Sequence, residues 1–123
     1  MNALVIDDSK PIRTVLKDQL RKLGFEVDEA ENGLQGLDRL KKNGNIDLVL
    51  VDWNMPEMDG ISFVRAVRAD ATYAELPLMM ITTNVELSEV SRALEAGVNE
   101  YIMKPFTVDI LKEKLELLGF SQD

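Results

Sequence analysis

Cysteine and histidine are both missing from this chain. Without cysteine there is no disulfide framework, no thiolate nucleophile and no thiolate metal site, which fits a reducing compartment. The lack of histidine excludes more: a serine triad of the usual kind, an imidazole general base and a phosphohistidine on this chain. Positive charge is scarce as well. Lys and Arg number 14 against 22 Asp and Glu, a net charge of -8 that repels nucleic acid and anionic lipid, so no direct DNA binding is expected. No apolar run approaches the length of a bilayer span, and Met1-Asn2-Ala3 passes into strand-like sequence without a basic leader. The expectation is a cytoplasmic protein without membrane contact. Its 123 residues leave room for one domain, 1–123, and none for a second. Any chemistry must run on carboxylates, hydroxyls, lysine and a borrowed metal.

What is present alternates regularly. Ala3 to Ile6 is a β-branched apolar run that ends in Asp7-Asp8-Ser9. Ser9 suits a helix cap and Pro11 a first turn, and Ile12, Val15, Leu16, Leu20 and Leu23 then form an apolar stripe that Gly24 closes. Phe25 to Ala30 reads as a weaker edge strand with Val27 its clearest inward residue. Asn32-Gly33 turns the chain, and Leu34, Leu37 and Leu40 line a helix that stops at Gly44. Ile46 to Asp52 is the most apolar strand and ends abruptly at a carboxylate, followed by a loop stiffened by Pro56 and turned at Asp59-Gly60. Ile61, Phe63, Val64 and Val67 give a third helix that loosens into residues 70–74. Leu78 to Thr82 is a strand with Met79 and Met80 as core filler. Leu87, Val90, Ala93 and Leu94 mark a fourth helix ended by Gly97, and Tyr101 to Met103 the fifth strand, cut by Lys104-Pro105. The last helix opens at Thr107 and carries Leu111, Leu115 and Leu118 up to Gly119.

Strand then helix, five times with short connections, predicts an α/β fold: a doubly wound parallel five-stranded sheet, flavodoxin-like, with five helices on its two faces. Ligands in such sheets bind beyond the carboxyl ends of the strands, where the strand order reverses. Those ends read Asp7-Asp8, Asp52, Thr82 and Lys104. The known order 2-1-3-4-5 sets strands one and three side by side and brings the acids together. Converging carboxylates raise one another's pKa unless a cation neutralises them. Oxygen ligands with no histidine or cysteine select a hard ion, Mg²⁺ first and Mn²⁺ as a substitute. Asp7, Asp8, Asp52 and the backbone carbonyl of Asn54 are the expected ligands. With a metal and an ammonium group at hand, Asp52 is the candidate nucleophile towards a phosphoryl group, Lys104 the cation that stabilises it and Thr82 a hydroxyl donor to its oxygens.

Taken singly, each feature has a plainer reading: Asp7-Asp8 as a solvated turn and cap, Asp59-Gly60 as a turn, Thr82 as a strand-end hydroxyl, Lys104 as an exposed charge, Tyr101 as core or interface and Trp53 as packing. Their joint placement at successive strand ends is what outweighs these readings. Together Asp7-Asp8, Asp52-Trp53-Asn54-Met55-Pro56 with Asp59-Gly60, Thr82 and Lys104-Pro105-Phe106 resemble the signature of the receiver domain of two-component response regulators, over nearly the whole chain, and most resemble its stand-alone, CheY-like chemotaxis type. The resemblance implies a phosphorylation-activated switch. A sensor histidine kinase passes a phosphoryl group from its phosphohistidine to Asp52 with Mg²⁺, and the domain later catalyses the hydrolysis.

Thr82 moves and Tyr101 turns inward in this family, the Lys104-Pro105 bond is commonly cis, and Asn54 and Asn84 stand where the hydrolysis rate is tuned. Thr83 departs from the usual Ala, Ser or Gly and narrows access to the phosphoryl group. With no output domain in view, a monomer acting in trans on a downstream target is expected, through the face of the fourth helix, fifth strand and last helix; Arg92, Glu95, Tyr101 and Lys114 are its exposed candidates. Chemotaxis and flagellar motor control lead, with a phosphorelay intermediate second. A Mg-dependent aspartate-nucleophile phosphatase of the haloacid dehalogenase type wants an Asp where Asn54 stands, and an FMN carrier wants a phosphate cradle where Asp7-Asp8 stands.

Overall fold

Three central runs, 3–6, 48–51 and 78–81, are apolar on both faces, as strands covered from both sides are, and two outer runs that include acidic residues, 26–30 and 100–103, complete a set of five that pair side by side. In a computed structural model that describes residues 1–53, 55, 58–82 and 87–120, they are β1 (Asn2–Ile6), β2 (Glu26–Ala30), β3 (Leu48–Asp52), β4 (Leu78–Thr82) and β5 (Glu100–Met103). All pairings are parallel and the order is β2-β1-β3-β4-β5. Five helices intervene: α1 (Lys10–Lys22), α2 (Gly33–Lys42), α3 (Gly60–Arg68), α4 (Leu87–Ala96) and α5 (Val108–Leu117). The doubly wound expectation holds.

Side chains alternate across each strand, so the sheet feeds two cores. Leu4, Ile6, Val49, Val51 and Met80 pack with Phe63, Val64 and Val67 of α3 and Leu40 of α2. Ala3, Val5, Leu48, Leu50, Met79 and Ile81 pack with Leu16 and Leu20 of α1 and Leu111 and Leu115 of α5. Local capping signals set the helix starts. Ser9, Asn32, Asp59 and Thr107 each accept a hydrogen bond from the backbone N–H three residues on, as N-caps do. Asp59-Gly60 and Asn32-Gly33 are therefore helix openings rather than free turns. Residues 70–74, expected to be loose, contain a 3₁₀ turn (Ala71–Tyr73) capped by Asp70. The Arg68 guanidinium ties this turn to the start of β5, donating to the carbonyls of Tyr73 and Gly97 and to Asn99 Oδ1.

Several expected inward residues face solvent. Val15, Leu34 and Leu94 are about half exposed. Each follows or precedes the buried centre of its helix by a step of about 100°, which puts it on the stripe's margin. Val27 is only partly buried, whereas Phe25 and Ala30 are the buried residues around β2. Ile46 lies before β3, in a connection where Asp47 accepts from the Asn2 N–H, and packs on the core from there.

Gly60 lets the chain close tightly over the end of β3. A Cβ there would stand 2.5 Å from the Asp52 carbonyl oxygen and 3.1 Å from Trp53 Cα. Both are backbone atoms, so a methyl group forces the loop off the end of β3. Gly60→Ala is expected to cost about 1–3 kcal/mol, read by chemical denaturation, while Gly44→Ala, whose Cβ meets nothing within 4 Å, stays close to wild type.

Candidate functional site

Register decides which acids meet. Ile6 of β1 lies opposite Val51 of β3, so the next residues, Asp7 and Asp52, emerge side by side at the carboxyl rim. Both continue the alternation of Val5 and Leu50, hence both lean towards the α1 and α5 face. Asp8 follows on the turn into α1. Carboxylate oxygens of Asp7, Asp8 and Asp52 lie within 4.8 Å of one another, the first and last buried and Asp8 exposed.

Lys104 enters from the far edge. Its N–H donates to the Thr82 carbonyl at 2.8 Å, and its Nζ reaches Asp7 Oδ2 at 3.1 Å and Asp52 Oδ1 at 3.4 Å. Half-buried and doubly paired, it is not the exposed charge of the plainer reading. The Lys104-Pro105 bond is cis, as the family resemblance implied. Thr82 is buried at the end of β4, next to this backbone contact. Trp53 closes the near side: its N–H donates to the Ile81 carbonyl and its carbonyl accepts from the Gly60 N–H. The expected contributions of Asn54, Thr83 and Asn84, and of Pro56 in the loop, lie outside the described residues.

The electrostatics follow from burial. Asp52 is pushed up from the ordinary carboxylate value of 3.8 to about 6, first by desolvation and then by the Asp7 charge, with Lys104 pulling the other way. Burial thus outranks the carboxylate repulsion anticipated from the sequence. The residues fit a hard divalent cation: three carboxylates at one rim, all donors oxygen, and one of them carrying an unrelieved cost of ionisation.

Tyr101 and Lys114, expected to be exposed, are both half-buried: Tyr101 packs on the core that holds Met80 and Phe63, and Lys114 lies over its ring. The Lys114 Nζ sits 4.9 Å from the centre of the Tyr101 ring and 3.1 Å from Glu100 Oε1. Arg92 and Glu95 are exposed as expected.

One residue next to the site was missed. Arg13 on α1 is buried to 6% exposure and its Nη1 donates to the Asp7 backbone carbonyl at 2.6 Å. Its Nε donates to Glu29 of β2 at 2.9 Å. Lys17, then Arg13, hold the Glu29 carboxyl below the usual range by hydrogen bonding to it. The signal was in the periodicity: positions 13, 16 and 20 are one buried phase, and a charged residue in that phase needs partners.

An acidic pocket bridged by a lysine at the carboxyl rim of a 2-1-3-4-5 sheet defines a class of phosphoacceptor domains. The chain belongs to the response regulator receiver domain family, which it matches over residues 3–116. It is 48% identical over 124 residues to the chemotaxis protein CheY1 of Helicobacter pylori, covering all of both chains. The crystal structure of Vibrio cholerae chemotaxis protein CheY4 superposes with a TM-score of 0.89 at 32% identity, over 95% of this chain and 97% of that one. The receiver domain of a Pseudomonas aeruginosa sensor histidine kinase, with a magnesium ion coordinated in its active-site cleft, gives 0.86 at 28% identity, over 97% and 98%.

The raised pKa has a signed consequence. A carboxyl that is harder to ionise in the fold than in the unfolded chain lends stability below pH 4, and this is lost as pH rises through about 6. Asp52→Asn is therefore expected to stabilise the metal-free protein at pH 7 by about 1–3 kcal/mol and to flatten the stability decline between pH 4 and 6, both read by thermal and urea unfolding.

Proposed function

We propose that this chain is a phosphorylation-activated signalling switch whose phosphoacceptor is Asp52. The observation that carries the reading is the convergence of Asp7, Asp8 and Asp52 within 4.8 Å with Lys104 bridging Asp7 and Asp52. Asp7, Asp8, Asp52 and the Asn54 carbonyl are the residues that would hold a divalent cation, Mg²⁺ first and Mn²⁺ as a substitute. When bound, that ion supplies positive charge to the carboxylates and to phosphoryl oxygens. The magnesium in the cleft of the Pseudomonas receiver supports this choice.

The chain's own residues do the rest. In the phosphorylating step an Asp52 carboxylate oxygen attacks phosphorus, the bond to the kinase imidazole nitrogen breaks, and that nitrogen keeps the electron pair. Asp52 must be ionised to attack, so at neutral pH it acts above its raised pKa. Asp7 and Asp52 orient the Lys104 ammonium before transfer, and the new phosphoryl oxygens then take it up. Thr82, buried beside the Lys104 backbone, supplies a hydroxyl hydrogen bond to the phosphoryl group. Asn54, Thr83 and Asn84 tune access of the hydrolytic water.

The output runs through α4, β5 and α5. Tyr101 turns inward when Thr82 follows the phosphoryl group, and to do so its ring leaves the Lys114 ammonium that covers it. Arg92 and Glu95, with the exposed apolar Leu94, Met103 and Ile110 on the same three elements, present the surface to a downstream protein. The Helicobacter and Vibrio relatives, both chemotaxis proteins, support chemotaxis and motor control over a phosphorelay step. The receiver domain acts as a cytoplasmic monomer, with a sensor histidine kinase as donor and a separate downstream protein as target. The family match and Asn54 two residues after Asp52 weigh against the phosphatase reading.

Incubation with Mg²⁺ and a small acyl phosphate is expected to add one phosphoryl mass to the intact protein. Chelation of the metal abolishes it and Asp52→Asn reduces it to background; labelling of that variant at the wild-type level would refute the assignment.

A further inference from the structure

The three acids of the pocket are not held alike. The Asp7 carboxylate is fixed on both oxygens, Oδ1 by the Ser9 N–H at 2.9 Å and Oδ2 by Lys104 at 3.1 Å. Asp52 ends a strand paired on both sides and touches Lys104. Asp8 is exposed, and no hydrogen bond to its carboxylate is found among the described residues. Its direction is set by the two peptides that flank it: the one to Ser9, whose N–H is held by Asp7 Oδ1, and the one that joins it to Asp7. That peptide's carbonyl is the group on which the buried Arg13 closes, at 2.6 Å.

The Asp7 backbone is gripped from both sides, its N–H by the Ala30 carbonyl at 3.2 Å and its carbonyl by Arg13. Arg13 is in turn immobilised by Glu29, one residue before Ala30 on the same strand. Helix α1 and edge strand β2 therefore converge on the two peptides that flank the Asp7 Cα. A guanidinium suits this task because its planar fork donates in two fixed directions at once, which a lysine ammonium on a flexible stem does not reproduce.

Resting on the reading of the pocket as a divalent-cation site, we infer that Arg13, anchored by Glu29, is a positioning residue for that site: it sets the Asp7-Asp8 peptide and thereby aims Asp8 at the cation. Arg13 touches neither the phosphoryl group nor the metal. It acts on affinity by removing the freedom that Asp8 would otherwise lose on binding. Groups that orient metal ligands from behind typically change affinity by about 10-fold to 100-fold when removed.

The experiment is calorimetric titration with Mg²⁺ of wild type, Arg13→Lys, Glu29→Ala and Leu20→Ala, at a temperature where all four are folded by circular dichroism. Leu20 is fully buried on α1 in the core beneath the sheet, so Leu20→Ala lowers the melting temperature without touching the Asp7-Asp8 peptide. The expected result is a Kd raised about 10-fold in Arg13→Lys, a smaller rise in Glu29→Ala, and a wild-type Kd in Leu20→Ala. Arg13→Lys binding within twofold of wild type overturns the inference, as does an equal loss of affinity in Leu20→Ala, which would make the effect one of general stability. A wild type that binds no Mg²⁺ would instead remove the cation-site reading on which the inference rests.

Discussion

The structure depends on one costly adjacency. The register that sets Ile6 against Val51 necessarily sets Asp7 beside Asp52, each after four wholly buried residues, 3–6 and 48–51. Packing the core correctly therefore forces two carboxylates together in a poorly hydrated place. Without a counter-charge that arrangement opposes folding, and Asp52 shows the cost, from burial first and the Asp7 charge second, as a pKa raised to about 6. Everything around the rim moderates it: Lys104 from the far side of β4, the Ser9 N–H at the start of α1, and Arg13 from beneath.

The moderation is incomplete, and function arises from the shortfall. A site that fully neutralised its acids would have no affinity left for a divalent cation, and a site with no internal cation would not hold the acids together. Lys104 shared between Asp7 and Asp52 leaves Asp8 exposed as the acid still open to an incoming ion. In the proposed mechanism the same lysine follows charge from carboxylate to phosphoryl group. Because its backbone N–H donates to the Thr82 carbonyl, the two residues proposed to meet the phosphoryl group are mechanically joined. Tyr101 lies on the strand that carries this linkage, under a Lys114 ammonium that Glu100 holds in place.

Much of this was legible in the residues because the strongest signals were local. Apolar runs ending in Asp7 and Asp52, a capping Ser9 and Thr107, and glycines at positive φ after α1, α4 and α5 fix elements and their order without long-range information. The rim residues are determined once the strands are parallel. What escaped was decided by tertiary phase. Val15, Leu34 and Leu94 are apolar yet lie on stripe margins, where only the neighbouring element determines exposure. Arg13 was passed over for the converse reason: a charge among apolar neighbours looks solvated until Glu29 and the Asp7 carbonyl are brought to it across the fold. Lys114 and Tyr101 look exposed one at a time and are half-buried once Tyr101 meets the core and Lys114 lies over its ring.

In the proposed switch Asp52 is an acid kept expensive to ionise until a cation arrives. Its side-chain carboxyl ¹³C shift, followed by NMR through a pH titration with and without Mg²⁺, tests this without intermediaries. A midpoint near 6 is expected in the absence of metal, with a fall of at least a unit or so when Mg²⁺ is saturating. A midpoint near the ordinary 3.8 that Mg²⁺ leaves unmoved would contradict it.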